Sequence, residues 1–196
     1  MTPNRTQALA LMEEWTSSES LRKHMLAVEA AVVAYARHLG EDEELWSVTA
    51  LLHDFDYERF PNPERDETGH PFVGVVELKR RGYPDLVTEA ILGHADYSGV
   101  ARVSRLAKVL YACDELTGLI TAATLVRPGK DVAGLGVPSL KKKFKDKAFA
   151  RGVNRDDVVR GAAELEVDLW EHVAFVLAAL QASSDTLGLT GQPAQQ

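Results

Sequence analysis

Cysteine is almost absent from this chain: Cys113 is the only one in 196 residues, so no internal disulfide can form and a reducing compartment is expected. Long apolar runs are missing too. No stretch approaches the ~20 apolar residues that a membrane span requires, so no transmembrane helix is expected. The opening Met1-Thr2-Pro3-Asn4-Arg5-Thr6 has no basic start followed by an apolar core, so no secretory signal is visible and a cytoplasmic location is expected. Positive charge is in deficit. Against 29 Asp and Glu stand 22 Lys and Arg, and the net charge of −7 argues against duplex nucleic acid as a partner while leaving a small phosphorylated substrate open. Internal repeats and convincing strand pairs are also lacking. What remains is helical periodicity in a chain that is 45% hydrophobic, which predicts an all-α fold in one domain over residues 1–182 with a flexible tail from 183 to 196.

Apolar spacing and cap residues outline the helices. Leu9, Met12 and Trp15 predict a first helix over Asn4–Trp15, and Leu21, Met25, Val28, Val32, Tyr35 and Leu39 a second that stops at Gly40. His38 sits in the last turn of that helix, where an imidazole complements the helix dipole. A third helix starts among the acids of 41–44 and must end before Pro61 and Pro63. His70-Pro71 opens the next, which ends at Arg81-Gly82, and another runs from Pro84 to His94. The longest helix is expected over Ala101–Leu125, with Val103, Ala107, Leu110 and Asp114 on one stripe. After the proline- and glycine-broken stretch 126–138 comes a lysine-rich segment, 141–147, read either as a solvated helix face or as part of a phosphate-attracting rim. Asn154 then caps a single last long helix carrying Val158, Leu165, Leu169, Val173, Val176 and Leu180, flanked by His172 in a structural position.

Polar residues in unusual places carry the functional signal. His53-Asp54 closes the apolar run of the third helix, and His24, His70, His94 and Asp114 lie at the ends or on the inner faces of their own segments. Four imidazoles and two carboxylates are the usual donors for a divalent metal such as zinc, iron or manganese. A carboxylate in a buried row, as Asp114 would be, needs a metal or a cationic partner to stay charged. The long connection 55–69, rich in proline and charge and set between two of these positions, is expected to border the metal pocket. Cys113 points away from Asp114 on the helix and is expected to pack. Tyr97 and Tyr111 either line the pocket or fill the core.

The ordered set His24, His53-Asp54, His70, His94, Asp114 resembles the HD superfamily of metal-dependent phosphohydrolases. Two longer strings, Leu51-Leu52-His53-Asp54-Phe55-Asp56-Tyr57-Glu58 and Asp114-Glu115-Leu116-Thr117-Gly118-Leu119-Ile120, are similar to an uncharacterised branch of predicted HD hydrolases. The resemblance spans roughly residues 20–125 and implies an HD-type helical bundle with appended C-terminal helices. It implies that His24, His53, Asp54 and Asp114 bind a first ion, and that His70 and His94 bind a second bridged by Asp54. The cofactor would be one or two divalent ions drawn from Fe, Mn, Zn, Ni, Co or Mg. Such an ion pair activates a shared water towards a phosphoester, possibly of a nucleotide. Asp54 then belongs to the catalytic centre, and Asp56, Glu58 or Asp96 would orient the water or relay protons. Arg59, Lys108, Arg127 and Lys130 would hold phosphate oxygens. Signalling-nucleotide phosphodiesterases of the superfamily continue His-Asp-Ile-Gly-Lys, whereas this chain reads His53-Asp54-Phe55-Asp56-Tyr57, which points away from cyclic-dinucleotide cleavage. Two alternatives share the pattern: a di-iron oxygenase of the myo-inositol oxygenase type, and a non-catalytic sensor or interaction module that keeps the metal pocket.

Overall fold

The structure is a computed structural model that describes residues 4–191. The described residues are helical apart from turns, loops and one isolated antiparallel bridge, Asp131 to Thr190, and no helix among them is long and apolar enough to cross a membrane. The all-α expectation holds. The chain forms two compact units, Met1–Tyr111 and Ala112–Gln196.

The first unit is built from α1 (Arg5–Trp15), α2 (Glu19–Leu39), α3 (Glu43–Leu52), α4 (Phe72–Arg80), α5 (Asp85–His94), a single 3-10 turn at Asp96–Ser98 and the start of α6 (Arg105–Leu125). Each boundary has a local cause. Asn4 forms a capping box with Gln7, Ser18 accepts from Leu21 N, and Asp42 accepts from Glu44 N and Leu45 N, so the first three helices begin on side-chain oxygens. Gly40 ends α2 at φ 70°, a left-handed conformation that glycine enters without steric cost. The helix α3 is the centre of the unit and packs on α1, α2 and α5. Its apolar residues Val48, Leu51 and Leu52 join Met12, Met25 and Ile91 in one core, each 3% exposed or less. A buried polar link adds to this packing. Glu29 of α2 accepts from Arg5 Nε of α1 and from Ser47 Oγ of α3, both at 2.5 Å, so its carboxylate is satisfied where an unpaired one would be costly.

Asp114 lies on α6, one turn beyond Leu110, at the beginning of the second unit. That helix starts later than expected. Ser104 Oγ accepts from Ala107 N and caps it, which leaves Val103 outside the helix and 84% exposed instead of on the buried stripe.

The rest of the second unit consists of α7 (Val137–Lys145), α8 (Arg155–Glu164), α9 (Leu169–Ala182) and α10 (Ser184–Leu187). The expected single last helix is two. Asp168 accepts from Trp170 N and Glu171 N and caps α9, while Glu166 takes a left-handed φ of 59° between the two helices. Close approach makes Gly161 necessary on α8, because a Cβ there would lie 2.6 Å from Ala112 Cα. Beyond Ser183 the chain forms α10, buries Leu187 and Leu189 and bridges Thr190 to Asp131, whereas residues 192–196 lie outside the described residues.

Candidate metal centre

Two of the histidines are delivered by one device. His53 follows the last residue of α3 and His94 is the last residue of α5, and each turns Nδ1 to the carbonyl three residues back, Ala50 O at 2.8 Å and Ile91 O respectively. Carbonyls in a last helical turn have no helical donor, so the imidazole satisfies one and is oriented by it. A carbonyl only accepts. Nδ1 of both rings therefore carries the proton, and Nε2 presents its lone pair to the interior.

His70 is held from several sides. Its Nδ1 lies 2.7 Å from Asp56 Oδ1, its backbone N donates to Phe60 O at 2.8 Å, and its carbonyl accepts from Asn62 Nδ2 at 2.7 Å and Tyr97 Oη at 2.8 Å. The long loop thus wraps His70, with Tyr57 adding a ring contact of 5.2 Å to the imidazole. The loop borders the cluster as expected, and it does so as a clasp fixed on one ligand position.

Asp54 occupies the middle. Its Oδ2 is 3.7 Å from His24 Nε2 and 3.4 Å from His53 Nε2, and its Oδ1 is 3.3 Å from His70 Nε2 and 3.4 Å from His94 Nε2. One oxygen faces one histidine pair, and the other oxygen faces the second pair. Donors bound at about 2.0–2.2 Å to a common ion sit roughly 3.0–3.5 Å from one another, so these spacings suit ligands around a cation better than they suit direct hydrogen bonds. Burial would push the Asp54 carboxyl up, but His53 foremost, with His94 and His70, overrides it and holds the group well below the usual carboxylate range. At only 16% exposure Asp54 thus stays ionised by drawing positive charge around it, carried by protons on these imidazoles or by a cation held among them.

The most telling contact is between two imidazoles. His70 Nε2 and His94 Nε2 are 3.2 Å apart, and both rings have Nδ1 committed as a donor to an oxygen. Two lone pairs facing each other at that distance repel. One positive charge between them, a metal ion or a single proton carried by either ring, removes the conflict, whereas protonating both rings would bury two like charges. Asp54, His70 and His94 offer one ligand atom each within 4.8 Å of one another. The donor set of imidazole nitrogen and carboxylate oxygen fits a divalent metal.

Other expected site residues have different contacts. Asp56 is 1% exposed with both oxygens used, one on His70 and the other on Gly74 N at 2.7 Å, so it orients the His70 ring. Glu58 caps the entry to α2 by accepting from Ser17 N at 2.9 Å and Ser18 N at 2.8 Å. Asp96 pairs with Arg102 Nη1 at 2.8 Å. Arg59 lies over the Trp15 ring at 5.0 Å and donates to Glu14 O. Lys108 is half-buried on α6, while Arg127 and Lys130 belong to a turn of the second unit. Cys113 is buried, and burial foremost pushes its thiol up, in keeping with a packing role. Tyr111 is buried beneath the Arg102 guanidinium. Tyr97 donates to His70 O, and burial, followed by the charges of Asp54 and Asp56, raises its hydroxyl to about 12.

The sequence offered little sign of Arg65. Its guanidinium lies 5.8 Å from the Tyr97 ring, and its backbone sits at φ 58° on a loop fixed by Asn62, which accepts from Asp66 N and donates to Asp66 O.

Searches of curated proteins and of solved structures found no match. The family model described as HD domain matches residues 21–119, just over half of the chain. That span contains His24, His53, Asp54, His70, His94 and Asp114, and the chain belongs to the HD domain family.

Proposed function

We propose that this chain is a metal-dependent phosphohydrolase acting on a small phosphoester. The reading is carried by the opposed Nε2 lone pairs of His70 and His94 beside an ionised Asp54, an arrangement that suits cation binding. His24 and His53 on one side of Asp54 would hold one ion, and His70 and His94 on the other side a second. Metal bound there supplies a water of lowered pKa and stabilises charge on a phosphoryl group.

The chain's own residues do the rest. Asp54 holds negative charge between the two histidine pairs. Asp56 fixes the tautomer and angle of His70, as carboxylates behind metal-bound imidazoles do. Tyr57, 49% exposed and against His70, forms a wall where a substrate would enter. Arg65, exposed beside Tyr97, is a candidate to hold a substrate anion, and Lys108 is a second candidate cation.

The test is a phosphoester panel run on metal-loaded parent and His53→Ala protein, with oxygen consumption followed in parallel. Metal-dependent phosphate release by the parent and its loss in the variant support the proposal. Equal activity of the two removes it, and oxygen uptake without phosphate release favours the iron oxygenase that the same six residues would also serve.

A further inference from the structure

Four of the five lysines of 141–147 divide into two groups. The Lys141 ammonium lies 4.9 Å from the Trp170 ring centroid and that of Lys143 lies 4.3 Å from the Phe149 ring, so these two rest on aromatic faces. Lys145 and Lys147, together with Arg151, line a cavity of about 590 Å³ formed by the end of α7, the loop 146–154 and the start of α8. All three are exposed, and none has an ion-pair partner among the described residues.

The loop that presents them is built firmly. The Arg155 guanidinium donates to the carbonyls of Ala150, Val153 and Phe149 and ties the loop to α8. Three acids stand nearby, Asp146, which accepts from Ala148 N, Glu115, which accepts from Asn154 N, and Asp156, and only Asp156 is on the cavity wall, against Lys145, Lys147, Arg151 and Arg155. Asn154 Oδ1 takes Asp156 N, so the first turn of α8 is already capped and the cavity's positive character comes from its side chains.

Three unpaired like charges around one cavity repel each other, and a chain of net charge −7 has acids to spare for pairing them yet does not use them here. We infer that this cavity binds a small polyanion carrying at least two phosphoryl groups, at a site separate from the metal centre. Its size lies within the usual range for small-molecule sites. A single phosphate would engage one or two of the three cations. A diphosphate spans more of them. Residues 144–156 lie outside the family match at 21–119, and the inference does not depend on the hydrolase reading.

The experiment is calorimetric titration of the full chain as purified with methylenediphosphonate, a non-hydrolysable diphosphate, and separately with inorganic phosphate. Expected are one-to-one binding of the diphosphonate and weaker binding of phosphate. The Lys147→Gln/Arg151→Gln variant should lose about tenfold or more in affinity, and parent protein dialysed against a chelator should keep the binding. Single Lys147→Gln and Arg151→Gln variants, each giving part of the loss with an unchanged circular dichroism spectrum, guard against a folding artefact. No binding by the parent, equal affinity for phosphate, parent-like affinity of the double variant or loss of binding after chelator dialysis would each overturn the inference.

Discussion

His70 Nδ1 and Asp56 Oδ1 lie 2.7 Å apart, both almost fully buried, and 14 residues of chain separate them. The second carboxylate oxygen of Asp56 takes the backbone N–H of Gly74 at the start of α4, so one side chain joins the loop, the ligand and the helix.

Asp56→Asn keeps the volume but offers only one accepting oxygen to two donors, so either His70 or Gly74 N faces an amide N–H. Metal affinity at His70 should fall about 10- to 100-fold, the usual cost of losing a partner behind a ligand. Competition with a chelating indicator measures it. Affinity equal to the parent's would mean that Asp56 does not orient His70.

Gly74→Ala probes the same junction from the backbone. The added Cβ would sit 2.7 Å from Asp56 Cγ and 2.8 Å from Phe55 Cε1, in a place where neither side chain has room to withdraw. The expected cost is about 1–3 kcal/mol of stability, with weaker metal retention, measured by denaturant unfolding and metal analysis. An unfolding midpoint unchanged from the parent's would contradict the packing described.

In the second unit, His172 provides a pH prediction. It is 1% exposed with Nε2 2.9 Å from Ala112 O, and burial, partly offset by that bond, lowers its pKa from the ordinary 6.5. The unfolded chain therefore takes up this proton before the folded chain does. The contribution of His172 is whole above pH 6.5 and declines as pH falls through and below that value towards the folded pKa. Proton NMR of the ring should give a titration midpoint below 6.5. A midpoint at or above 6.5 would contradict the prediction.

Helical periodicity and caps made most of the first unit legible, because apolar spacing in α2, α3 and α5 also fixes where His24, His53 and His94 fall. Two errors share one cause. Ser104 and Asp168 are helix caps lying inside apolar patterns that continue across them, so periodicity absorbed Val103 into α6 and fused α8 with α9. The pairing of Asp56 with His70 is not legible for a different reason: a loop returns one to the other, and no local pattern encodes it. The contacts of Arg59 with Trp15 and Glu14, some 45 residues earlier in the chain, are hidden in the same way.

The central claim is that the two oxygens of Asp54 serve two histidine pairs, and metals counted per chain after dialysis test it most directly. The parent should hold two equivalents, His70→Ala and His94→Ala one each, and Asp54→Ala fewer than one, since it removes the anion shared by both sites. Circular dichroism on the same samples separates lost binding from lost structure. One equivalent in the parent, unchanged in the His70 and His94 variants, would contradict the claim and reduce the centre to a mononuclear one.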